Sequence, residues 1–463
     1  MGKRRQQYHL EPDRGLLNDP NGLSYYNGRY YVFFQWNRFA KDHSHKEWGL
    51  FTSSDLLNWR LEGSALLPDQ TYDSCGVYSG SAYVIEDKLY LFYTGNVKKD
   101  GERRSRQCIA VTEDGRTFLK LGCAVETPDE YTEHFRDPKV LKTRENGYYM
   151  VIGAQRLCGK GALAFCHSSD GRNWEYRGMP AVSEDYEMIE CPDLFKLDGR
   201  YLLIYNPQSR DNGKDIPLMS FTAVKFIEFD EQSGTFSDSD LDHGFSRMDY
   251  GFDFYAPQTF TDDQGRRILY AWMSRMDERE ETAFAEGEPN IHCLTLPREL
   301  KIIDGKLYQM PVSELDKLKT TCPAVARTGK STAVIRPEQR TYCIHISHID
   351  SYRTLSMWFN EGEASLEWLV GESVLRFGRR SWVTGQTEFR ECSVQEFREA
   401  EIWCDCSSIE IFINNGEKVI SSRIEPEAEY PSVVIEGLNG TEEILAHDIT
   451  PATDKTGPAE TLL

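Results

Sequence analysis

The sequence has no long apolar run and no excess of basic charge. No stretch approaches the ~18 consecutive apolar residues that a membrane helix needs. The 53 Lys and Arg residues are outnumbered by 74 Asp and Glu residues, which gives a net charge of −21. Phosphate groups repel so acidic a chain. We therefore expect neither a membrane nor a nucleic acid as a partner.

The sequence also lacks a secretory signal, and Cys404 and Cys406 are its only closely spaced cysteines. The first eight residues include basic side chains, but no apolar stretch follows them, so we expect no signal peptide. The 12 cysteines are scattered over 463 residues, and no pair has zinc-finger spacing. We expect reduced thiols, no metal site and a cytoplasmic protein.

What the sequence does contain is one unit repeated five times. Each copy is a short motif rich in acids, Pro and Gly, followed after about eight to ten residues by the turn of a predicted β-hairpin. The motifs lie at residues 17–22, 78–81, 135–138, 190–193 and 253–256. Equivalent hairpin strands are 59, 58, 53 and 67 residues apart, as measured at Phe33, Phe92, Met150, Leu203 and Tyr270. Each period holds about four strands, the content of one propeller blade.

The repeat ends near Leu300. A short helical stretch follows around residues 313–319, and then short alternating strands that favour a β-sandwich. The sequence therefore predicts an all-β protein, with a five-bladed β-propeller followed by a C-terminal β-sandwich. The predicted bounds are 1–310 for the propeller, 311–325 for a helical linker and 326–463 for the sandwich.

Three of the five motifs contain a carboxylate at the predicted point of convergence. Two carboxylates that flank an anomeric carbon are the machinery of glycoside hydrolases. Asp19 lies in a turn rich in hydrogen-bond donors, which suits an ionised nucleophile, whereas the sequence neighbours of Glu190 are apolar, which suits a protonated general acid. Asp137 follows Arg136, which is expected to keep it ionised for stabilising positive charge in the transition state. The alternative for each acid taken alone is that it caps a turn.

Residues 18–22, 135–138 and 190–193 resemble the three signature motifs of glycoside hydrolase family 32, the β-fructofuranosidases. The likeness continues through residues 78–82, 253–258, 296–298 and 407–416, and so covers nearly the whole chain. The resemblance implies a five-bladed propeller with a β-sandwich, hydrolysis with retention, and no cofactor.

The resemblance also assigns roles to single positions. It implies Asp19 as nucleophile, Asp137 as transition-state stabiliser and Glu190 as acid/base. It implies sugar contacts from Asn18, Gln35, Trp48, Ser79, Arg136, Asp193, Tyr255 and Trp272. For Gln35 and Trp272 the alternative is a place in the core of a strand.

The chain departs from the family pattern in the loop after the second strand. Asn37 is followed by Arg38 rather than Pro, and Trp48-Gly49 by Leu50 rather than His. The loop also holds Lys41, His43, His45 and Lys46. We expect Arg38 and Lys46 to receive a phosphate, as in the cytoplasmic sucrose-6-phosphate hydrolases, which the chain most resembles. The alternative is a solvated charged loop.

These observations predict an enzyme that cleaves the fructosyl linkage of sucrose-6-phosphate, sucrose or both through a covalent fructosyl-enzyme. The expected partner is a small sugar, and the expected state is a monomer or homodimer. The alternatives are an exo-hydrolase of inulin, levan or fructooligosaccharides, an inverting hydrolase of arabinan or xylan, and a non-catalytic sugar-binding propeller.

Overall fold

The computed structural model describes residues 4–99, 101–209, 220–274, 278–320, 325–329 and 331–451. Within these residues the chain forms two compact units. The propeller unit comprises Arg14–Arg247 and Tyr255–Trp272, and the sandwich unit comprises the remaining described residues.

The propeller unit is built from antiparallel sheets whose strands follow one another in chain order. The first sheet contains β1 (Gly15–Tyr26), β2 (Arg29–Asn37), β3 (Glu47–Ser53) and β4 (Trp59–Leu66). The second contains β5 (Val77–Ile85), β6 (Lys88–Lys99), β7 (Glu102–Thr112) and β8 (Leu119–Glu126). The third contains β9 (Tyr131–Lys142), β10 (Tyr148–Arg156), β11 (Gly161–Ser168) and β12 (Glu175–Val182).

The fourth and fifth sheets complete this unit. The fourth contains β13 (Met188–Leu197), β14 (Arg200–Gln208), β15 (Ala223–Ile227) and β18 (Ser246–Arg247), with a separate ribbon of β16 (Phe229–Asp230) and β17 (Thr235–Phe236). The fifth begins with the hairpin of β19 (Tyr255–Thr261) and β20 (Arg267–Trp272). Apolar clusters lie between successive sheets, as expected for blades that pack face to face.

The first strands of the five sheets form a closed ring. β1 contacts β5, β5 contacts β9, β9 contacts β13, β13 contacts β19, and β19 contacts β1. We call these five strands the inner strands. Their arrangement places the five sequence motifs around one axis.

Turn chemistry explains several of the hairpins. Asn27-Gly28, Glu86-Asp87 and Asp198-Gly199 all have positive φ at both central residues. This is the geometry of a type I′ turn, whose twist matches that of the flanking strands. Glycine and short polar residues reach this region most readily.

The sandwich unit holds helix α1 (Glu278–Ala285) and two 3₁₀ helices, Ser313–Leu318 and Asn360–Gly362. Two hairpin strands, β22 (Arg298–Ile303) and β23 (Lys306–Pro311), follow the short β21 (Asn290–Ile291).

The larger sheet has seven strands, in the spatial order β24 (Val325–Thr328), β25 (Thr332–Ile335), β34 (Val433–Glu436), β27 (Leu355–Phe359), β28 (Ala364–Leu369), β29 (Val374–Arg380) and β30 (Thr387–Ser393). The smaller sheet has the order β33 (Lys418–Arg423), β32 (Ser408–Ile413), β31 (Ala400–Asp405), β26 (Tyr342–Ser347) and β35 (Glu443–Asp448). An apolar core drawn from both sheets lies in this unit.

The predicted all-β fold, a five-bladed propeller followed by a β-sandwich, is confirmed. The helical stretch expected near residue 313 is a single 3₁₀ segment, which is how short helices usually occur. The domain bounds at 310 and 325 stay predictions, and residues 321–324 and 452–463 of the predicted linker and sandwich lie outside the described residues. Within the described part of the chain, none of the helices has the length and hydropathy to cross a membrane.

Candidate active site

Each inner strand is interrupted by a β-bulge at an equivalent position. The register shifts fall at Asp19, Ser79, Asp137, Cys191 and Ala256. Four of these residues precede a proline, which has no N–H to donate and is tolerated at a bulge. A bulge re-aims a side chain that would otherwise follow the alternation of the strand.

Three of the bulge residues have a backbone conformation that is uncommon without glycine. The φ angles of Asp137, Cys191 and Ala256 are 66°, 42° and 48°. Such strain persists only where the surrounding structure imposes it, and it concentrates at functional sites. The bulges therefore mark the place where the propeller unit brings its acids together.

Asp19 is held by neighbours from two other inner strands. The hydroxyl of Ser79 donates to Asp19 Oδ2 at 2.5 Å. The thiol of Cys191 lies 3.8 Å from the same oxygen. These contacts hold the carboxylate in one orientation, as a nucleophile aimed at a fixed target requires.

Asp137 is almost fully buried, with 3% of its surface exposed. The amide of Cys191 donates to Asp137 Oδ2 at 3.0 Å, and the Asp137 amide donates to Thr94 Oγ1 at 3.0 Å. Burial raises the pKa of Asp137 to about 7; Arg136 opposes this shift, while the charges of Glu190 and Asp19 add to it. Burial therefore works against the ionised form that Arg136 favours, and the expectation that Asp137 is ionised stays a prediction.

Glu190 contacts polar groups rather than the apolar surroundings expected from its sequence neighbours. Arg136 Nη2 donates to Glu190 Oε1 at 2.6 Å, and the hydroxyl of Tyr255 donates to Oε2 at 2.6 Å. The apolar neighbours Met188 and Ile189 are themselves buried. The adjacent residues in the sequence are thus a poor guide to the groups that the carboxylate meets.

Arg136 connects Asp137 and Glu190. Its Nε lies 3.7 Å from Asp137 Oδ2, and its Nη1 lies 2.8 Å from His134 Nδ1. Burial opposes the charge of Arg136, but Glu190 and Asp137 raise its pKa. One guanidinium is therefore shared by two carboxylates, with Asp19 as a third acid close by.

The predicted sugar-binding residues fall into two groups. Asn18, Ser79, Arg136 and Tyr255 lie at or directly before a bulge, around the three acids. The ring of Trp272 lies 6.4 Å from that of Tyr255, centroid to centroid. These five positions come together with the acids.

The other three are buried and bonded to the scaffold. Gln35 Nε2 donates to the Val77 carbonyl at 2.8 Å, and Trp48 Nε1 donates to the Tyr78 carbonyl at 3.1 Å. Asp193 Oδ2 accepts from the amide of Thr259 at 2.6 Å. These contacts join neighbouring sheets, so all three side chains position inner strands; their roles in sugar binding stay predictions.

The two cations proposed for a phosphate differ in their surroundings. Lys46 is 8% exposed, and its ammonium donates to Asn18 Oδ1 at 2.6 Å and lies 2.8 Å from His43 Nδ1. Arg38 is more exposed, and its Nε lies 3.3 Å from the buried carboxylate of Glu47. Lys46 therefore lies beside the residue that precedes the nucleophile, whereas Glu47 partly neutralises Arg38.

Two residues that hold the site were missed in the sequence. Thr94 accepts from the Asp137 amide, and Asn206 Nδ2 donates to the carbonyls of Glu190 and Cys191 at 3.1 and 3.2 Å. Thr94 and Asn206 each lie on the second strand of their sheet. Thr94 follows Phe92, the partner of Ser81, by two residues, and Asn206 follows Ile204, the partner of Asp193, by two residues. Gln35 and Trp272, which were predicted as sugar contacts, occupy the same position in their sheets. This shared position in the repeat is the signal in the sequence that could have pointed to Thr94 and Asn206.

Comparisons with known proteins agree with this geometry. Residues 9–311 match the description "Glycosyl hydrolases family 32 N-terminal domain". The sucrose-6-phosphate hydrolases of Bacillus subtilis and Klebsiella pneumoniae are each 40% identical, over 91% and 93% of this chain and 89% and 90% of their own.

Solved structures give the same result. A sucrose-6-phosphate hydrolase from Lactobacillus gasseri superposes with a TM-score of 0.85 at 27% identity, covering 97% of this chain and 94% of its own. A Bombyx mori GH32 β-fructofuranosidase superposes with a TM-score of 0.84 at 28% identity, with the same coverage. The predicted family and enzyme class are confirmed: this chain is a glycoside hydrolase that belongs to family 32.

Proposed function

We propose that this chain is a retaining β-fructofuranosidase whose substrate is sucrose-6-phosphate. The observation that carries the proposal is the meeting of Asp19, Asp137 and Glu190 at three bulges of one closed ring. The names of the relatives and of the solved structures support the substrate class.

The proposed first step is attack of Asp19 on the anomeric carbon C2 of the fructosyl group. Ser79 and Cys191 face Asp19 Oδ2, so the other oxygen is the one we assign to the attack. Glu190 protonates the departing glycosidic oxygen, and the C2–O bond breaks as the bond to Asp19 forms. The product is a covalent fructosyl-enzyme and a free glucose-6-phosphate.

The second step reverses the role of Glu190. Its carboxylate now removes a proton from water, which attacks C2 and displaces Asp19, so that two inversions give net retention. The pair of Arg136 and Glu190 must separate before Glu190 can hold a proton. We infer that the hydroxyls of the bound fructosyl group draw Arg136 and Asp137 towards them and release Glu190 for this task.

The phosphate preference rests on Lys46. Its ammonium lies beside Asn18, which immediately precedes the nucleophile. The overall charge of −21 repels an anionic substrate, so a local cation near the reacting bond is needed to offset that field. Arg38 is the second candidate, but part of its charge is already satisfied by Glu47.

The deciding experiment compares kcat/KM for sucrose and for sucrose-6-phosphate in the purified protein. We expect a preference of about ten-fold or more for the phosphate, equivalent to about 1.4 kcal/mol. Lys46→Gln should remove most of this preference and Arg38→Gln a smaller part. Lys88→Gln is the matched control, because it removes a lysine of the propeller unit that pairs with Glu113 outside the site.

Three results would contradict the proposal. Equal kcat/KM values for the two sugars would make the enzyme a general β-fructofuranosidase. A loss in Lys46→Gln that is the same for both sugars would remove Lys46 from phosphate recognition. Faster release of fructose from inulin or levan in the same assay would favour the fructan alternative.

Location and assembly complete the proposal. We propose a cytoplasmic enzyme that is a monomer or homodimer and needs no cofactor. Light scattering coupled to size exclusion gives the mass in solution, to be compared with 53.3 kDa for one chain. Activity that survives exhaustive treatment with a chelator would support the cofactor-free reaction.

A further inference from the structure

A cavity opens among the inner strands, beyond the catalytic bulges. It has a volume of about 270 Å³ and is lined by the later residues of β1, β5, β9 and β19. Lys139 and Arg267 are the cations in its wall. Lys139 follows the catalytic Asp137 by two residues, so this axial cavity begins where the active-site ring ends.

Lys139 is the cation of this cavity that has a carboxylate partner, Asp193. Lys139 is 6% exposed, and its ammonium lies 3.1 Å from Asp193 Oδ2 and donates to the carbonyl of Thr259 at 2.6 Å. The same oxygen of Asp193 also accepts from the amide and hydroxyl of Thr259. Asp193 Oδ2 is thus engaged by β9 and β19, while Oδ1 is buried without a hydrogen-bond partner among the described residues. The single charge of Asp193 cannot balance both Lys139 and Arg267.

Arg267 is poorly satisfied by the protein. Its Nη1 reaches Thr259 Oγ1 only at 3.5 Å, and its guanidinium carbon lies 4.8 Å from the centre of the Phe195 ring. Its Nε is buried without a hydrogen-bond partner among the described residues. Across that same part of the chain, no carboxylate lies within ion-pair distance of it. Arg267 as a whole is half-buried, and withdrawing part of a guanidinium from water without a partner is unfavourable.

The burial of the two cations and the charges around them both indicate that the cavity lacks negative charge. Burial lowers the pKa of Arg267 and of Lys139, and in each case Asp193 opposes the shift. Both groups are therefore cations with less negative charge around them than their burial requires. An anion between them would supply the missing charge, and a guanidinium fork fits the oxygens of a tetrahedral oxyanion.

We propose that the axial cavity binds a small oxyanion of the phosphate or sulfate class between Arg267 and Lys139. The site is separate from the sugar pocket, and the bound ion ties β9, β19 and β20 together. Because it binds only the folded chain, the anion raises the stability of the protein with increasing concentration.

The test measures the thermal unfolding midpoint of the full chain against inorganic phosphate or sulfate, with ionic strength held constant by sodium chloride. We expect Tm to rise by roughly a few degrees and to saturate as a single-site curve. Arg267→Gln should abolish the rise. Lys46→Gln, which removes a cation of the sugar pocket, should leave it intact. An unchanged Tm in the wild type, or an equal rise in Arg267→Gln, overturns the proposal.

A second measurement needs no variant and so guards against a failure of Arg267→Gln to fold. Crystals of the wild type grown with selenate should show an anomalous peak between Lys139 Nζ and the Arg267 guanidinium. An empty cavity at saturating selenate rejects the site. Adding glucose 6-phosphate in the thermal assay of Lys46→Gln distinguishes the source of the anion. A rise in Tm shows that the cavity admits an organic phosphate. If Tm rises with inorganic phosphate but not with glucose 6-phosphate, the site binds only the free ion.

Discussion

The hydroxyl of Tyr255 donates to Glu190 Oε2 at 2.6 Å, from the first residue of the fifth inner strand to the third residue of the fourth. Arg136 of the third inner strand holds the other oxygen of the same carboxylate. Three neighbouring sheets thus meet at one carboxyl group. The charged form of Glu190 is favoured by both contacts, since each partner donates to it.

Loss of the Tyr255 hydroxyl should therefore change the proton transfers of Glu190. We expect Tyr255→Phe to lower kcat about ten-fold or more and to move the alkaline limb of the kcat/KM profile to higher pH, because a hydrogen bond to a charged group is worth about 1.5–3 kcal/mol. Tyr201→Phe is the matched control, since it removes a tyrosine–carboxylate bond of 2.5 Å to Glu231, in the turn between β16 and β17. An unshifted profile in Tyr255→Phe would separate Tyr255 from acid catalysis.

The nucleophile and the acid should be separable by chemical rescue. We expect Asp19→Ala and Glu190→Ala each to lose about 10³-fold or more in kcat, with unchanged circular dichroism. Added azide should restore turnover in Glu190→Ala and give a fructosyl azide of retained configuration, because Asp19 still forms the covalent intermediate. Near wild-type turnover of Asp19→Ala would end the proposed mechanism.

Asp137 should make the folded protein less stable at neutral and alkaline pH. Its pKa is raised to about 7 by burial, whereas an unfolded Asp has a pKa of about 3.9. The folded state therefore binds the extra proton between these values, and stability falls as pH rises through this window. A shift of this size corresponds to at most about 4 kcal/mol.

Asp137→Asn tests this directly, since it cannot ionise. We expect the variant to lack most of the activity, to match the wild type in stability near pH 4, and to exceed it above pH 7. Urea unfolding at the two pH values gives the comparison. A variant that is less stable than the wild type above pH 7 would show that the charged Asp137 stabilises the fold.

His9 should stabilise the sandwich unit at acidic pH. Its Nδ1 lies 2.9 Å from Asp405 Oδ2 and its Nε2 lies 2.9 Å from Glu410 Oε1. Burial opposes the charged imidazolium, but these two carboxylates raise the pKa of His9. Its stabilisation is therefore complete below the unfolded pKa of about 6.5 and is lost as pH rises through the higher folded value.

We expect His9→Gln to lower the free energy of unfolding by about 2–4 kcal/mol at pH 6 and by less at pH 9, because a buried charge pair loses a partner. His243→Gln is the control, as that histidine is exposed and pairs with Asp240 on the surface. A loss that does not vary with pH would mean that His9 acts through packing rather than charge.

The repeat and its acids could be predicted from the sequence because both rest on local signals. Turn residues such as Asn27-Gly28 determine a hairpin within a few positions, and the spacing of five hairpins determines the blade count. Asp19 and Asp137 stand at the bulges of their repeats and Glu190 stands directly before its bulge, so their convergence follows from the repeat itself.

The surroundings of each acid could not be predicted in the same way. Glu190 meets Arg136 and Tyr255, which are 54 and 65 residues away in the chain. Whether burial or a neighbouring charge decides the protonation of Asp137 depends on distances that no sequence pattern contains. The hydrogen bonds of Thr94 and Asn206 to the inner strands join residues that lie 43, 16 and 15 positions apart in the chain.

The closed ring of inner strands also determines at which stage of folding the protein gains catalytic activity. Asp19 and Tyr255 are 236 residues apart, yet β1 and β19 are adjacent. No partial chain that ends before β19 can assemble the complete pocket, and the contact that closes the ring carries the largest loop-closure entropy within it. During refolding, catalytic activity should therefore return later than strand content, as a report on the last and most distant pairing.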